Sequence, residues 1–217
     1  MTARVLTPPF DQEARETAAQ ALAEGLMMTY PTETSYALGG NALDDELCAR
    51  VHTLKGRPER KSLLLLIASD ESLEHWVQEI HPAARVLMDR FWPGPLTLVF
   101  RASANVPPHL VDARGTIALR WTPNRIVSEL WEIGGVPLIG TSANRSGQPH
   151  LLRAGDVLSE FGEAIEVAID GGPAPGGLPS TLLDTTTMPF RLLREGALHK
   201  THVQATLVET HIDAVPG

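Results

Sequence analysis

Two stretches of this chain hold residue types that can do chemistry. The first, Lys55-Gly56-Arg57-Pro58, sets two permanent cations two residues apart on a short connection, in a chain whose formal net charge is -8. Gly56 lets backbone approach, so the pair can clamp an anion. The same residues also end a helix: cations oppose the negative end of the dipole, glycine suits a left-handed cap, and Pro58 stops the turn. Lys61 adds a third cation nearby. The second stretch, Thr141-Ser142-Ala143-Asn144-Arg145-Ser146-Gly147, offers hydroxyls, an amide and backbone N–H groups that can cradle phosphate oxygens. These are also ordinary turn residues. The chain has no Gly-x-x-x-x-Gly-Lys-Ser/Thr loop and no Gly-x-Gly-x-x-Gly turn, so a nucleotide bound here is held differently.

The elements that must position these groups follow from local pattern. Early carboxylates and Ala14, Ala18, Ala21 and Leu22 at helical spacing predict a helix over residues 11–24, stopped by Gly25. Residues 26–30 read as a buried strand, and Pro31-Thr32-Glu33-Thr34-Ser35-Tyr36 lies at its carboxyl end, where open α/β sheets place ligands. Asp44 caps a helix over 44–54 whose Leu47, Val51 and Leu54 form one stripe. The run 62–68 is a strand buried on both faces. Short helices follow near 71–78 and 82–90. Trp92-Pro93-Gly94-Pro95 turns into a strand over 96–100. Further strands are predicted at 115–121, 137–140, 165–170, 181–185 and 190–194, with helices running from Pro123 toward Ile133 and over 153–161. Asp170-Gly171-Gly172-Pro173 opens an irregular loop, either a lid or a plain connector. Arg194 is a phosphate contact or a surface group. Trp76, Trp92, Trp121 and Trp131 read as packing residues.

Composition narrows the class. With 217 residues, 43% hydrophobic and 20% charged, the chain suits one α/β domain over 1–217, with a core of about 11–196 and a tail over 197–217. The acidic balance speaks against a broad nucleic-acid surface but not against a small cationic pocket. Eight histidines lie scattered without a metal-binding pattern, so no metal site is expected. The lone Cys48 excludes an internal disulfide and fits a reducing compartment. Neither a secretory leader nor a membrane-spanning run is expected, and the reading is cytoplasmic.

Taken in order, Pro31-Thr32-Glu33-Thr34-Ser35-Tyr36-Ala37-Leu38-Gly39, Lys55-Gly56-Arg57-Pro58, Trp92-Pro93-Gly94-Pro95-Leu96-Thr97, Arg120, Ser142-Ala143-Asn144-x-Ser146-Gly147, Asp170-Gly171-Gly172-Pro173, Ser180-Thr181 and Arg194-Glu195-Gly196 resemble the YrdC family of threonylcarbamoyl-AMP synthases, short form. Departures from the commonest pattern are Ala37, Ser62 and Asn124.

The resemblance implies a twisted mixed α/β sheet with helices around a deep, locally cationic cavity. It implies that L-threonine, bicarbonate and ATP, with Mg2+ accompanying ATP, give threonylcarbamoyl-AMP and pyrophosphate. The product passes to a tRNA-modifying transferase, with at most a weak direct tRNA contact. By carry-over, Lys55, Arg57, Ser142 and Asn144 form the functional tetrad. Thr34, Arg120 and Ser180 touch threonine, Thr116, His150 and Arg194 lie near ATP, and Lys61 contributes charge. The rival readings are a YciO-type paralogue acting as an RNA-binding module or on another small amino substrate.

Overall fold

The computed structural model describes residues 2–56, 63–69 and 73–209; the readings of Arg57, Pro58, Lys61 and Ser62 lie outside them. The chain opens with β1 (Arg4–Leu6), α1 (Gln12–Ala23), β2 (Met28–Pro31), β3 (Tyr36–Gly39), α2 (Asp45–Lys55) and β4 (Leu64–Ile67). It continues with α3 (Leu73–Trp76), α4 (Pro82–Phe91), β5 (Leu96–Arg101), β6 (Thr116–Trp121), α5 (Arg125–Gly134), β7 (Leu138–Ile139) and β8 (Thr141–Ser142). Then come α6 (Ala154–Phe161), β9 (Val167–Ile169), β10 (Thr181–Asp184), β11 (Arg191–Arg194) and α7 (Lys200–Glu209).

The helices start where side chains satisfy their first N–H groups. Asp11 accepts from Ala14 N at 2.8 Å, Asp44 from Leu47 N at 2.7 Å, and Asn124 from Ile126 N at 3.0 Å. Asn124, rather than Pro123, therefore sets the start of α5. Among the described residues, the helical pattern near 71–78 is present as the four residues of α3. The short β1 was not expected from sequence; it is held by parallel pairing with β9.

The mixed α/β architecture expected from sequence is present, but its strands divide between two mixed sheets. One runs β1-β9-β2-β3-β8 and the other β11-β10-β5-β6-β4-β7. Alternation assigns each strand's two faces to different cores. Tyr36 and Leu38 of β3 join the large cluster, with Leu65 and Ile67 of β4. Ala37, Leu66, Met28 and Tyr30 join the smaller one, packed on Ala18, Leu22, Val127 and Leu130 of α1 and α5. The leucine run of β4 is thus buried on both faces, as its composition predicts.

One crossing creates the space between the sheets. β7 pairs with β4 in the second sheet, and two residues later β8 pairs with β3 in the first. Gly140 lies at the transition, its N–H donating to Leu64 O at 2.6 Å. The chain therefore passes from the second sheet to the first just before Ser142, which ends β8, and Asn144, which follows it.

Candidate active site

The end of α2 supplies the first wall. Leu47 and Val51 fix the helix in the core, and Gly56 closes it in the left-handed region at φ 60°. Lys55, only 5% exposed, turns inward. Its ammonium donates to the backbone carbonyls of Ser142 and Asn144, the latter at 2.8 Å, and approaches Asn144 Oδ1 at 3.4 Å. The segment it reaches is itself rigid. Ser142 Oγ donates to Asn144 Oδ1 at 2.6 Å, while Asn144 Nδ2 donates to Gln148 O at 2.6 Å and Arg145 O at 3.0 Å. Helix-end and clamp readings of Lys55 are thus compatible: the cap stops the helix, and the last side chain bridges to a segment 87 residues away.

The β2–β3 loop supplies the roof. The Thr32 hydroxyl is its hub, donating to Ser35 O at 2.8 Å and accepting from Thr34 N at 3.2 Å and Ser35 N at 3.3 Å. This tight turn directs Thr34 and Ser35 into the cavity.

The second sheet supplies the opposite wall. Arg120, 3% exposed, comes from the carboxyl end of β6. Burial lowers its pKa, and Glu33 partly opposes that shift. Ser180, just before β10, pairs its hydroxyl with Thr97 of β5 at 2.8 Å. Arg194, at the end of β11, donates to Ser180 O at 2.8 Å through Nη2 and 3.2 Å through Nε. The Arg194-Glu195-Gly196 motif is a strap behind Ser180. Gly196 passes so close that a Cβ there would fall 2.1 Å from Pro179 O, so no larger residue fits.

The cavity between these walls measures about 270 Å³. Lys55, Ser142, Asn144, Thr34, Arg120, Ser180, His150 and Arg194, all singled out from sequence, line it together. Its described lining carries three cationic side chains and no carboxylate. Such a chamber is built to receive anions. Cys48 takes no part: burial first, then Asp45 and Asp44, push its thiol up to about 12.

Thr116 begins β6 and is absent from the cavity lining; its hydroxyl accepts from Arg114 Nη2 at 3.4 Å, and its N–H donates to Asp112 at 3.0 Å. Four residues of extended strand carry it roughly 13 Å from Arg120. Arg114 also pairs with buried Asp184 at 2.9 Å, so Thr116 belongs to a structural network at the other end of the sheet. Thr97, which also lines the cavity, was named only as the last residue of a motif and given no role. The available signal was a hydroxyl inside an otherwise apolar buried strand, Leu96-Thr97-Leu98.

His150 is half-buried, with Nδ1 buried and lacking a hydrogen-bond partner. Burial, then Arg194, then Lys55 hold its pKa below the ordinary imidazole value. The sign follows from linkage: the unfolded chain takes up this proton first, so the contribution of His150 to stability is present above about pH 6.5 and is lost as pH falls through its lowered folded-state pKa. An anion in the cavity reverses the local field and draws the proton on. Sulfate binding is therefore expected to tighten from pH 7 to pH 5, by at most about 10-fold per unit. Titration calorimetry on wild type and His150→Gln checks this. The variant should bind sulfate with a flatter pH dependence; equal slopes would contradict the assignment.

Among the described residues, no group of three or more His, Cys, Asp or Glu could hold a metal ion, and no helix is long and apolar enough to cross a membrane.

Comparison with known proteins places this geometry in a family. A Sua5/yciO/yrdC family model, described as "Telomere recombination", matches residues 20–196. The threonylcarbamoyl-AMP synthase of Pyrococcus abyssi is 40% identical over 195 residues, covering 90% of this chain and 57% of that protein. A protein of the same name from Thiobacillus denitrificans is 36% identical over 179 residues, covering 81% of this chain and 95% of its own length. The crystal structure of P. abyssi Sua5 complexed with L-threonine superposes with a TM-score of 0.88 at 37% identity, covering 95% of this chain and 61% of that one. The chain thus spans just over half the length of the P. abyssi protein. The family model and the superposition both cover most of the sequence, and the chain belongs to the Sua5/YciO/YrdC family.

Proposed function

We propose that the chain is an L-threonylcarbamoyladenylate synthase, a nucleotidyltransferase joining L-threonine, bicarbonate and ATP into threonylcarbamoyl-AMP with release of pyrophosphate and water. The observation that carries this reading is the meeting of Lys55 with Ser142 and Asn144 in one cavity with Arg120, Ser180 and Arg194. Support comes from relatives named threonylcarbamoyl-AMP synthase and from the Sua5 structure complexed with L-threonine.

The residue types suit the chemistry. The threonine amine attacks the carbon of bicarbonate, the C–OH bond breaks and water leaves with the amine's proton, giving an N-carboxylate. An oxygen of that carboxylate attacks the α-phosphorus of ATP, the bond to the β-phosphate oxygen breaks, and pyrophosphate leaves with the electron pair. Nucleophile and target are both negative. Two like charges 4 Å apart repel by about 4 kcal/mol at an effective dielectric near 20, and a fixed cation at similar distance offsets that. Lys55 is the cation assigned to this, and the family pattern adds Arg57 and Lys61. Ser142 and Asn144 hold the Lys55 ammonium in place without adding charge, their own side-chain donors going to Asn144 Oδ1, Gln148 O and Arg145 O, and His150 and Arg194 flank the nucleotide. Arg120 takes the threonine carboxylate as a fork, while Thr34 and Ser180 hold amine and hydroxyl.

Mg2+ is expected to arrive on the phosphates. The described lining has no carboxylate to hold it. The product would pass to a tRNA-modifying transferase in the cytoplasm, and the charge of -8 keeps any direct tRNA contact weak.

Pyrophosphate release tests the reading. It should require threonine, bicarbonate and ATP together and fall when another amino acid replaces threonine. Release independent of threonine or of bicarbonate would refute it.

A further inference from the structure

Glu33 sits inside the motif loop yet does not line the cavity. Where Thr34 and Ser35 turn inward, Glu33 turns toward the end of β6. Its Oε2 accepts from the Thr122 hydroxyl, which accepts in turn from Asn124 N at 3.2 Å, the cap of α5. Its other oxygen, Oε1, is buried without a hydrogen-bond partner, 3.6 Å from Arg120 Nε. Arg120 Nε also lacks a partner. A buried guanidinium and a part-buried carboxylate thus face each other just beyond hydrogen-bond length, the acid anchored to the start of a helix. Leaving both atoms unpaired costs stability, and such strain persists where function uses it.

We propose that Glu33 is a positioning residue for Arg120. Anchored by Thr122, it holds the Nε flank of the guanidinium from behind and aims the terminal nitrogens into the cavity. A ligand carboxylate on those nitrogens then draws the Nε flank and Glu33 into a full hydrogen bond, as catalytic contacts commonly tighten on ligand binding. The choice of a threonine carboxylate as that ligand rests on the proposed function.

Charge alone gives the opposite expectation, which makes the idea testable. If Glu33 merely balanced Arg120, removing its charge would leave the cavity more positive and tighten carboxylate binding. If it positions Arg120, Glu33→Gln weakens L-threonine by about 10- to 100-fold, the worth of one charge-assisted hydrogen bond, and ATP affinity stays within about twofold. Calorimetry with each ligand separately reads both values. Arginine Nε–H spectra, assigned with Arg120→Lys, give a second readout. Wild type should show a slowly exchanging Arg120 Nε–H signal that Glu33→Gln broadens or shifts. Threonine binding unchanged or tighter in the variant, or equal losses for threonine and ATP, would overturn the proposal. Wild type binding no threonine would remove the proposed function, and the Nε–H signal alone would then decide: perturbed by Glu33→Gln it upholds the positioning role, unperturbed it overturns it. If Glu33→Gln does not fold, Thr122→Val replaces it. That variant keeps the carboxylate but frees it, so threonine should weaken and Thr122→Ser should restore it; no change in Thr122→Val counts against the proposal.

Discussion

Replacing Lys55 with Ala is expected to lower kcat/KM for threonine-dependent pyrophosphate release by about 10²- to 10³-fold, the loss typical when one group stabilising developing charge is removed. Steady-state kinetics with threonine and ATP varied in turn would measure it. The same change should soften the fold. The ammonium is the donor that reaches the Ser142 and Asn144 carbonyls from α2, and it lies almost wholly out of solvent. Losing such a charge-assisted contact costs about 2–3 kcal/mol. For a chain of this length that lowers Tm by roughly 5–10 °C. Lys55→Arg should not rescue the rate, because a planar fork cannot reproduce a compact ammonium pointed at converging carbonyls. Full turnover in Lys55→Ala would remove the central clamp.

The second large effect is at Arg120. Arg120→Met should raise the threonine KM by about 10²-fold or more, since a bidentate charge-assisted contact is lost and the site cannot compensate. Stability should also fall by about 3–5 kcal/mol, because Glu33 is left near-buried beside an apolar side chain. Binding and stability separate in the double variant Arg120→Met with Glu33→Leu. Thermal denaturation should show most of the lost stability recovered, while threonine still fails to bind. If the double variant bound threonine as wild type does, the carboxylate fork would lie elsewhere.

Much of this architecture can be read from the chain because its local signals agree. Leu47 and Val51 form one stripe, Asp44 opens the helix and Gly56 closes it, so the position of Lys55 at an inward-turning end follows from pattern. The leucines of β4 and the hydroxyl-rich 141–147 stretch were equally legible as buried strand and polar turn. Their meeting was not. It depends on the chain stepping from one sheet to the other within Leu138-Ile139-Gly140-Thr141-Ser142, and hydrophobic alternation says nothing about which sheet a two-residue strand joins. The family resemblance stood in for that missing long-range information. It named Thr116 as well, at the start of β6; 116, 118 and 120 share one face of the strand, and of these Ala118 and Arg120 line the cavity. Glu33 was named within its motif but given no role, for a different reason. A carboxylate in a turn reads as solvated, and only the coordinates place it behind Arg120. β1, three residues paired to a distant strand, has too little pattern to be recognised alone.

The most direct measurement is mass spectrometry of the reaction product. Purified protein given L-threonine, ATP and ¹³C-labelled bicarbonate should yield threonylcarbamoyl-AMP one mass unit heavier than with unlabelled bicarbonate, and Lys55→Ala should yield almost none. Absence of the adduct with all three substrates present, or an adduct that carries no label, would contradict a cavity that brings a carbamate to the α-phosphate.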